Sequence, residues 1–251
     1  MKRTMLIVAA LVIAVSGCAA REAALYKELT YKPDPLTDVT LATDKAIVVV
    51  PFVDARKESE ATSECALWNL VPLVVRTTLV ETHPELVYKT SGNCFRPVKM
   101  TGTLADAIPK LLAEQLRVTR RAPQAQYAED VEGEGFKETD LVLRGTVVRS
   151  ALTTKRYSYG LGPAAVAVYF LGAPMVKYSA WLEVDWQLFD ANNKPVSLKK
   201  TASVETPIVQ PAGLYYGRRA CGKDAPLGLY VAAVKAVNEK IARDLSEELV
   251  Q

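Results

Sequence analysis

The pattern of apolar residues predicts an α+β fold, in which a single mixed, mainly antiparallel sheet carries two main helices on one face and an apolar insertion. Residues 46–52 form a run of β-branched side chains, which is typical of a strand buried on both faces. Residues 178–190 alternate between apolar and polar side chains, as a half-buried strand does. Two segments, 101–117 and 225–249, carry apolar stripes at helical spacing. Runs of strand beside two helices favour the α+β class.

The first elements of the folded part are predicted to be strands. Ala46–Phe52 is continuously apolar, and Pro51 near its end indicates where this strand stops. Residues 68–75 are also apolar but show no clean period, and Pro72 interrupts them. They therefore form either a second buried strand or an apolar loop.

The first helix is predicted over 101–117. Thr103 and Asp106 have the spacing of a capping box, in which each side chain accepts a hydrogen bond from the backbone of the other. Pro109 is expected in the first turns of the helix, where a proline is tolerated. The apolar stripe of this helix comprises Leu104, Ile108, Leu111, Leu112 and Leu116.

The second half of the sheet is predicted from three strands and a turn. A short strand can form near 125–128, and residues 140–154 begin as a buried run and then alternate, which predicts a long strand. Residues 178–190 and 196–205 flank the turn at 190–194 and predict a β-hairpin. The expected core face of the first hairpin strand carries Tyr178, Ala180, Leu182, Val184, Trp186 and Leu188, and its other face carries Ser179, Trp181, Glu183, Asp185 and Gln187.

The last helix is predicted from Ala225 to about Leu249, with Pro226 in its first turn. Lys240 and Asp244 interrupt its otherwise apolar inner stripe. The full predicted stripe is Leu229, Ala232, Ala233, Ala236, Val237, Lys240, Ile241, Asp244 and Leu245.

The connection Gly160–Val176 is unusual because it contains no charged residue. Connections between strands are normally short and polar, so this insertion must bury itself in the domain core, on a partner protein or at a membrane interface. At an interface Tyr169 and Phe170 would lie at headgroup depth. Residues 68–75 have the same character, and the two segments could form one surface. The candidate interaction residues are Trp68, Leu70, Leu73, Leu161, Val166, Val168, Tyr169, Phe170 and Leu171.

The amino terminus has the pattern of an export signal. Two basic residues precede an apolar run of about eleven residues, which is too short to span a bilayer. The sequence Val15-Ser16-Gly17-Cys18 that follows resembles a bacterial lipobox. This resemblance implies cleavage before Cys18 and acyl chains on that cysteine, and Ala19-Ala20 implies sorting to the outer membrane. The predicted division is a signal peptide at 1–17, a lipidated tether at 18–44 and an α+β periplasmic domain at 45–251.

Three further cysteines lie in a compartment that permits disulfides. Cys65 and Cys94 would close a loop of about 30 residues, and we favour this pair, with Cys221 free or partly buried. Three cysteines allow three single pairings, so the other two pairings stay open.

Composition and motifs exclude several classes of function. Removal of Lys2 and Arg3 with the leader leaves 29 basic against 28 acidic side chains, so we expect no nucleic-acid binding. His83 is the only histidine and lies in an apparent loop, and we identify no catalytic, metal-binding or cofactor-binding constellation. Asp54, Arg56 and Lys57 follow a buried strand, where they either bind a ligand or form ordinary rim charges.

The order of elements is similar to that of envelope lipoproteins with a compact α/β domain, namely the curli-secretion CsgG type, the penicillin-binding-protein activator LpoB type and the amino-terminal domain of TolB. The shared features are Ile47–Phe52 leading into Asp54-Ala55-Arg56, the helix with Ile108–Leu116, Leu141–Gly145 and the closing helix. The resemblance implies that the protein binds partners or assembles rather than catalysing a reaction.

These observations predict a lipid-anchored, non-catalytic binding or scaffolding component of a cell-envelope assembly. Its partners would be the membrane, through the acyl chains, and an unidentified envelope protein; its oligomeric state stays open. The alternative is an accessory lipoprotein of a lipid or solute transport system, with a ligand pocket lined by the insertion. An enzyme without a recognisable motif is the third possibility.

Overall fold

The computed structural model of the chain confirms the α+β class, with a mixed sheet and two long helices. The residues that it describes are 30–38, 45–56, 75–81, 86–91, 94–99, 103–119, 125–129, 140–157, 159–161, 176–206 and 225–250.

Nine strands are present among the described residues, and seven of them form the main sheet in the order β6-β1-β7-β8-β9, with β2 and β3 also on β7. The pairs β1–β6, β1–β7 and β2–β7 are parallel, and the other pairs are antiparallel. The remaining strands, β4 and β5, form a separate hairpin. The strands are β1 (Ile47–Val49), β2 (Val53–Asp54), β3 (Val75–Glu81), β4 (Leu86–Ser91), β5 (Cys94–Lys99), β6 (Gln126–Tyr127), β7 (Leu141–Tyr157), β8 (Val176–Asp190) and β9 (Lys200–Glu205).

Strand β7 organises the sheet because it is paired along both of its edges. One edge pairs with β8 over nearly its whole length, and the other pairs in turn with β1, β2 and β3. The register with β8 shifts once, because Val147 lies opposite Val184 and Arg149 lies opposite Glu183. Val148 is therefore the extra residue of a β-bulge.

The first helix, α1 (Leu104–Val118), begins with the predicted capping box of Thr103 and Asp106. The Thr103 hydroxyl accepts a hydrogen bond from the Asp106 backbone N–H at 3.2 Å. Pro109 lies inside the helix, so the carbonyl of Ala105 has no N–H four residues later. The backbone N–H of Phe52 donates to this carbonyl at 3.2 Å, which ties the helix to the strand region.

The second helix, α2 (Ala225–Val250), matches the predicted bounds to within a residue or two. Its buried side comprises Leu229, Tyr230, Ala233, Val234, Val237, Asn238, Ile241, Ala242 and Leu245. Ala232 was predicted on the inner stripe but is exposed. The buried side of the helix extends towards Tyr230 and Val234 instead, so Ala232 lies outside it.

The main core lies between the helices and one face of the sheet. As predicted, β1 is buried on both faces: Ile47 and Val49 join the main core, whereas Val48 packs with Val50 and Val142 on the other face. Ser179 was expected on the solvent side of β8 but is buried, and its hydroxyl donates to Glu205 on β9 at 2.9 Å.

Residues 30–38, which lie within the predicted tether, pack against both helices and are called the strap below. Asn238 on α2 donates to the Tyr31 hydroxyl at 2.9 Å, and Gln115 on α1 donates to the Asp34 carbonyl at 2.7 Å. Lys235 forms an ion pair with the Asp34 carboxylate at 2.6 Å. The strap therefore belongs to the folded unit rather than to a free linker.

Candidate interaction face of the sheet

The sheet face opposite the helices is called the open face, and its central rows come from β7 and β8. Arg144 lies opposite Gln187, and Thr146 lies opposite Asp185. Residues directly opposite each other in a ladder share a face, so the two strands contribute matched polar positions to this side. These residues are half-buried, in contrast to the fully buried positions between them.

The bulge in β7 changes what the open face presents. The register shift leaves Val148 37% exposed and brings Arg149 opposite Glu183. Val53, which pairs with Thr146, is 63% exposed. Exposed aliphatic side chains therefore lie among the polar residues of this face.

Two arginines on β7 each lie over an aromatic ring of β8. The guanidinium carbon of Arg144 is 5.3 Å from the centre of the Phe189 ring, and that of Arg149 is 6.0 Å from the Trp181 ring. Both distances are within the range of cation–π attraction. Arginine and tryptophan are the residue types that most often dominate the binding energy of protein interfaces.

Asp185 is an acidic group of this face whose charge is neutralised locally. The Lys199 amine lies 2.6 Å from its carboxylate, and the Thr201 hydroxyl donates to it at 2.6 Å. Burial acts to raise the pKa of Asp185, but the hydrogen bonds from Lys199 and Thr201 outweigh it and lower the pKa below its ordinary value. The carboxylate is therefore ionised at neutral pH and already paired with Lys199 and Thr201.

At one end of the sheet, β3 and β8 begin and β7 ends. The two uncharged segments of the sequence connect to the strands at this end. Val75, which starts β3, lies opposite Tyr157, which ends β7. Val176, which starts β8, lies opposite Arg156. Leu161, just beyond β7, is 48% exposed and belongs to the predicted interaction surface.

The charged residues predicted after the first strand are brought together in part. Arg56 donates to the Asp54 carboxylate through Nε at 2.9 Å and through Nη2 at 2.5 Å, and both side chains are largely buried. A bidentate pair of this kind satisfies both charges within the domain, which favours the structural interpretation over a ligand site. Lys57 lies outside the described residues.

The remaining predicted site residues cannot be compared with the structure. Cys94 begins β5, but its side chain is not described, so the disulfide stays a prediction. The residues that lie outside the described ranges are Cys18, Cys65, Trp68, Leu70, Leu73, His83, Val166, Val168, Tyr169, Phe170, Leu171 and Cys221.

The described residues contain no group of three or more histidine, cysteine or acidic side chains that could hold a metal ion. None of the helices in the described part of the chain is both long and apolar enough to cross a bilayer.

Arg144 was not predicted as a site residue, although the sequence around it carries a signal. It is the only charged residue in the otherwise apolar or small run Leu141–Val148. A single charge in a strand of this type marks a position that faces away from the core. The register with β8 was needed to place Phe189 beside it.

No family model matches the chain, and a search of curated proteins finds no relative. Among solved structures, a Xanthomonas campestris protein assigned to the family DUF330 is similar over 89% of this chain and 94% of its own, with 12% identity and a TM-score of 0.41. A candidate lipoprotein from Caulobacter crescentus is similar over 57% of this chain and 83% of its own, with 20% identity and a TM-score of 0.29. Both TM-scores lie below 0.5, so neither similarity assigns a family or a function to this chain.

Proposed function

We propose that this chain is a bacterial lipoprotein that serves as a non-catalytic binding or scaffolding component of a cell-envelope assembly. The lipobox-like sequence supports cleavage after residue 17 and acylation of Cys18. Each buried methylene contributes about 0.8 kcal/mol, so two or three acyl chains hold a protein on a membrane durably. The domain would face the periplasm from the outer membrane.

The observation that carries the binding role is the register at the end of β3, β7 and β8. Val75 faces Tyr157 across one ladder, and Arg156 faces Val176 across the next. The uncharged segments that precede Val75 and Val176 thus join the sheet at β3 and β8, the two strands that flank the end of β7. Two uncharged segments joined at one end of the domain support a single contact surface for a partner protein.

The anchor is tested by replacing Cys18 with serine. We expect the wild-type protein to sediment with membranes and to carry fatty acid, and Cys18→Ser to lose both properties and keep its leader. Subcellular fractionation and mass spectrometry of the amino terminus provide the measurement. A Cys18→Ser protein that still sediments with membranes would contradict the anchor.

The contact surface is tested by crosslinking in cells. A photoreactive residue at Val166 or Val168 should crosslink to an envelope protein. The matched control is the same residue at Leu198, which is 82% exposed and lies just before β9. Equal crosslinking from both places would contradict a specific surface, and lipid as the main crosslinked species would favour the transport alternative.

A further inference from the structure

The side chain of Arg144 on the open face carries a charge for which the described part of the chain supplies no counter-ion. Its guanidinium contacts the Phe189 ring, and it forms no ion pair with any described residue. Its Nε atom is buried and has no hydrogen-bond acceptor. A buried N–H without an acceptor is unfavourable in the free protein, and an anion from another molecule would pair with the charge of this guanidinium.

Neither of the acidic residues on the neighbouring part of β8 forms an ion pair with Arg144. Asp185 binds Lys199 and Thr201, and Glu183 lies directly opposite Arg149. Gln187, directly opposite Arg144, uses its amide N–H to donate to the Ser197 carbonyl at 2.8 Å. The described residues of the open face therefore supply no carboxylate to Arg144.

Contact with Phe189 also limits where the guanidinium can point. A planar guanidinium held against a ring keeps its donors in a fixed arrangement, so little side-chain entropy is lost when an anion binds. On one side of Arg144 lies the small apolar cluster of Val48, Val50 and Val142, to which Phe189 belongs. On the other side, exposed Val53 pairs with Thr146.

We propose that the open face binds an acidic segment of a partner protein, in which a carboxylate pairs with Arg144 and neighbouring aliphatic side chains cover Val53. Charge complementarity selects the carboxylate, and the apolar neighbours select a protein segment over a small inorganic anion. This inference rests on the proposed binding role and names the chemistry of the partner.

The first test uses a defined probe and the full-length protein in detergent. A fluorescent peptide of alternating Glu and Leu should bind, and the same peptide with Gln for Glu should bind much more weakly. Arg144→Gln should weaken binding of the Glu peptide by about tenfold, and Arg144→Lys should restore only part of it, because lysine lacks the planar fork of donors. Equal binding of the two peptides, or no effect of Arg144→Gln, would overturn the proposal.

The matched control is Arg117→Gln on α1, whose side chain is 63% exposed and pairs only weakly, at 3.8 Å, with Glu114. It removes the same charge from the opposite side of the molecule and should leave peptide binding unchanged. Thermal unfolding of each variant verifies that the fold is intact. A variant that does not fold is replaced by Phe189→Leu, which removes the ring under Arg144 and should also weaken binding.

The second test distinguishes this inference from the proposed function. A photoreactive residue at Thr146 should crosslink in cells to an Asp- or Glu-rich peptide, and Arg144→Gln should abolish that product. If crosslinks from Val166 persist but Thr146 gives none, or gives phospholipid, the inference fails while the binding role stands. If neither position crosslinks to protein, both fail.

Discussion

Two tryptophans five residues apart on β8 lie in contrasting surroundings. Trp186 is 1% exposed beneath the helices, whereas Trp181 is 36% exposed on the open face. Each ring has a cation about 6 Å from its centre, Lys200 for Trp186 and Arg149 for Trp181. The two side chains are thus of the same type, lie on the same strand and each have a cationic neighbour. They differ in how far they are exposed to solvent.

The polar groups of the two faces differ in their neighbours, although both faces contain buried polar atoms with no hydrogen-bond partner among the described residues. On the helix side, Asn238 and Gln115 are fully buried, and both donate hydrogen bonds to the strap. On the open face, Arg144 has an aromatic neighbour, but the described residues supply no acceptor for its Nε. The polar contacts of the helix side thus hold the strap to the helices, whereas binding by the open face is the proposal that the predictions below test.

The largest expected effect is the difference between the two tryptophans. Trp186→Ala should lower the free energy of unfolding by about 3–5 kcal/mol, because it leaves a cavity in the core. Trp181→Ala should lower it by less than about 1 kcal/mol, because this side chain is partly exposed and its removal opens no enclosed cavity. Urea unfolding of both variants measures the difference, and similar losses would show that the open face is covered as well as the helix side.

A smaller effect is expected at Gly145, which lies opposite Trp186 on the core side of β7. A Cβ at this position would approach the Phe52 ring to 2.6 Å. Gly145→Ala should therefore cost about 1–3 kcal/mol of stability, and Phe52→Leu in the same chain should recover part of the loss.

The matched glycine for this experiment is Gly228 in α2, where an added Cβ meets nothing within 4 Å. Gly228→Ala should stabilise the protein by about 0.5–1 kcal/mol, because alanine is the better helix former. Thermal unfolding of the two alanine variants should show shifts of opposite sign. A Gly145→Ala variant as stable as the wild type would mean that Phe52 can move away without cost.

The contacts of the strap should contribute less to the free energy of unfolding than core packing does, but more than exposed ion pairs do. Burial raises the pKa of Tyr31 well above its ordinary value, so its hydroxyl stays neutral and accepts from Asn238. Tyr31→Phe should cost about 1 kcal/mol, because Asn238 keeps only its bond to the Ile108 carbonyl at 3.3 Å. Lys235→Gln, which removes an exposed ion pair with Asp34, should change the unfolding midpoint very little.

Local patterns were sufficient to predict the elements that depend on neighbours in sequence. The two-residue period placed Leu182, Val184 and Trp186 on the core side, and all three are buried there. The spacing of Thr103 and Asp106 predicted the helix start, because a capping box needs only residues within one turn.

The features that were not predicted depend on contacts between residues far apart in the sequence, or on a single residue inserted into a strand. The strap contacts Lys235 across 201 positions of the chain, and no local pattern indicates such a contact. Val148 could not be recognised as the bulged residue because either neighbour fits an alternating strand equally well. The hairpin of β4 and β5 was missed because Pro97 argues against a strand in its second half.

The smallest expected effect comes from two aspartates whose pKa shifts have opposite signs. Burial raises the pKa of Asp244 on α2, although Lys240 and Lys200 oppose the shift. In Asp185 on β8, burial opposes the net shift, and hydrogen bonds from Lys199 and Thr201 lower the pKa. The two groups should therefore affect stability in opposite directions as the pH changes.

For Asp244, whose folded-state pKa is raised, the favourable contribution is complete below the ordinary pKa of 3.8 and is lost as the pH rises through the raised value. For Asp185, whose folded-state pKa is lowered, the contribution is present above 3.8 and is lost as the pH falls through the lowered value. Asp244→Asn should thus raise the unfolding temperature at pH 7 and change it little at pH 3. Asp185→Asn should lower it at pH 7 and do so less at pH 2. If both substitutions shift the unfolding temperature in the same direction at pH 7, the pKa values of Asp244 and Asp185 are not shifted in opposite directions as the structure indicates.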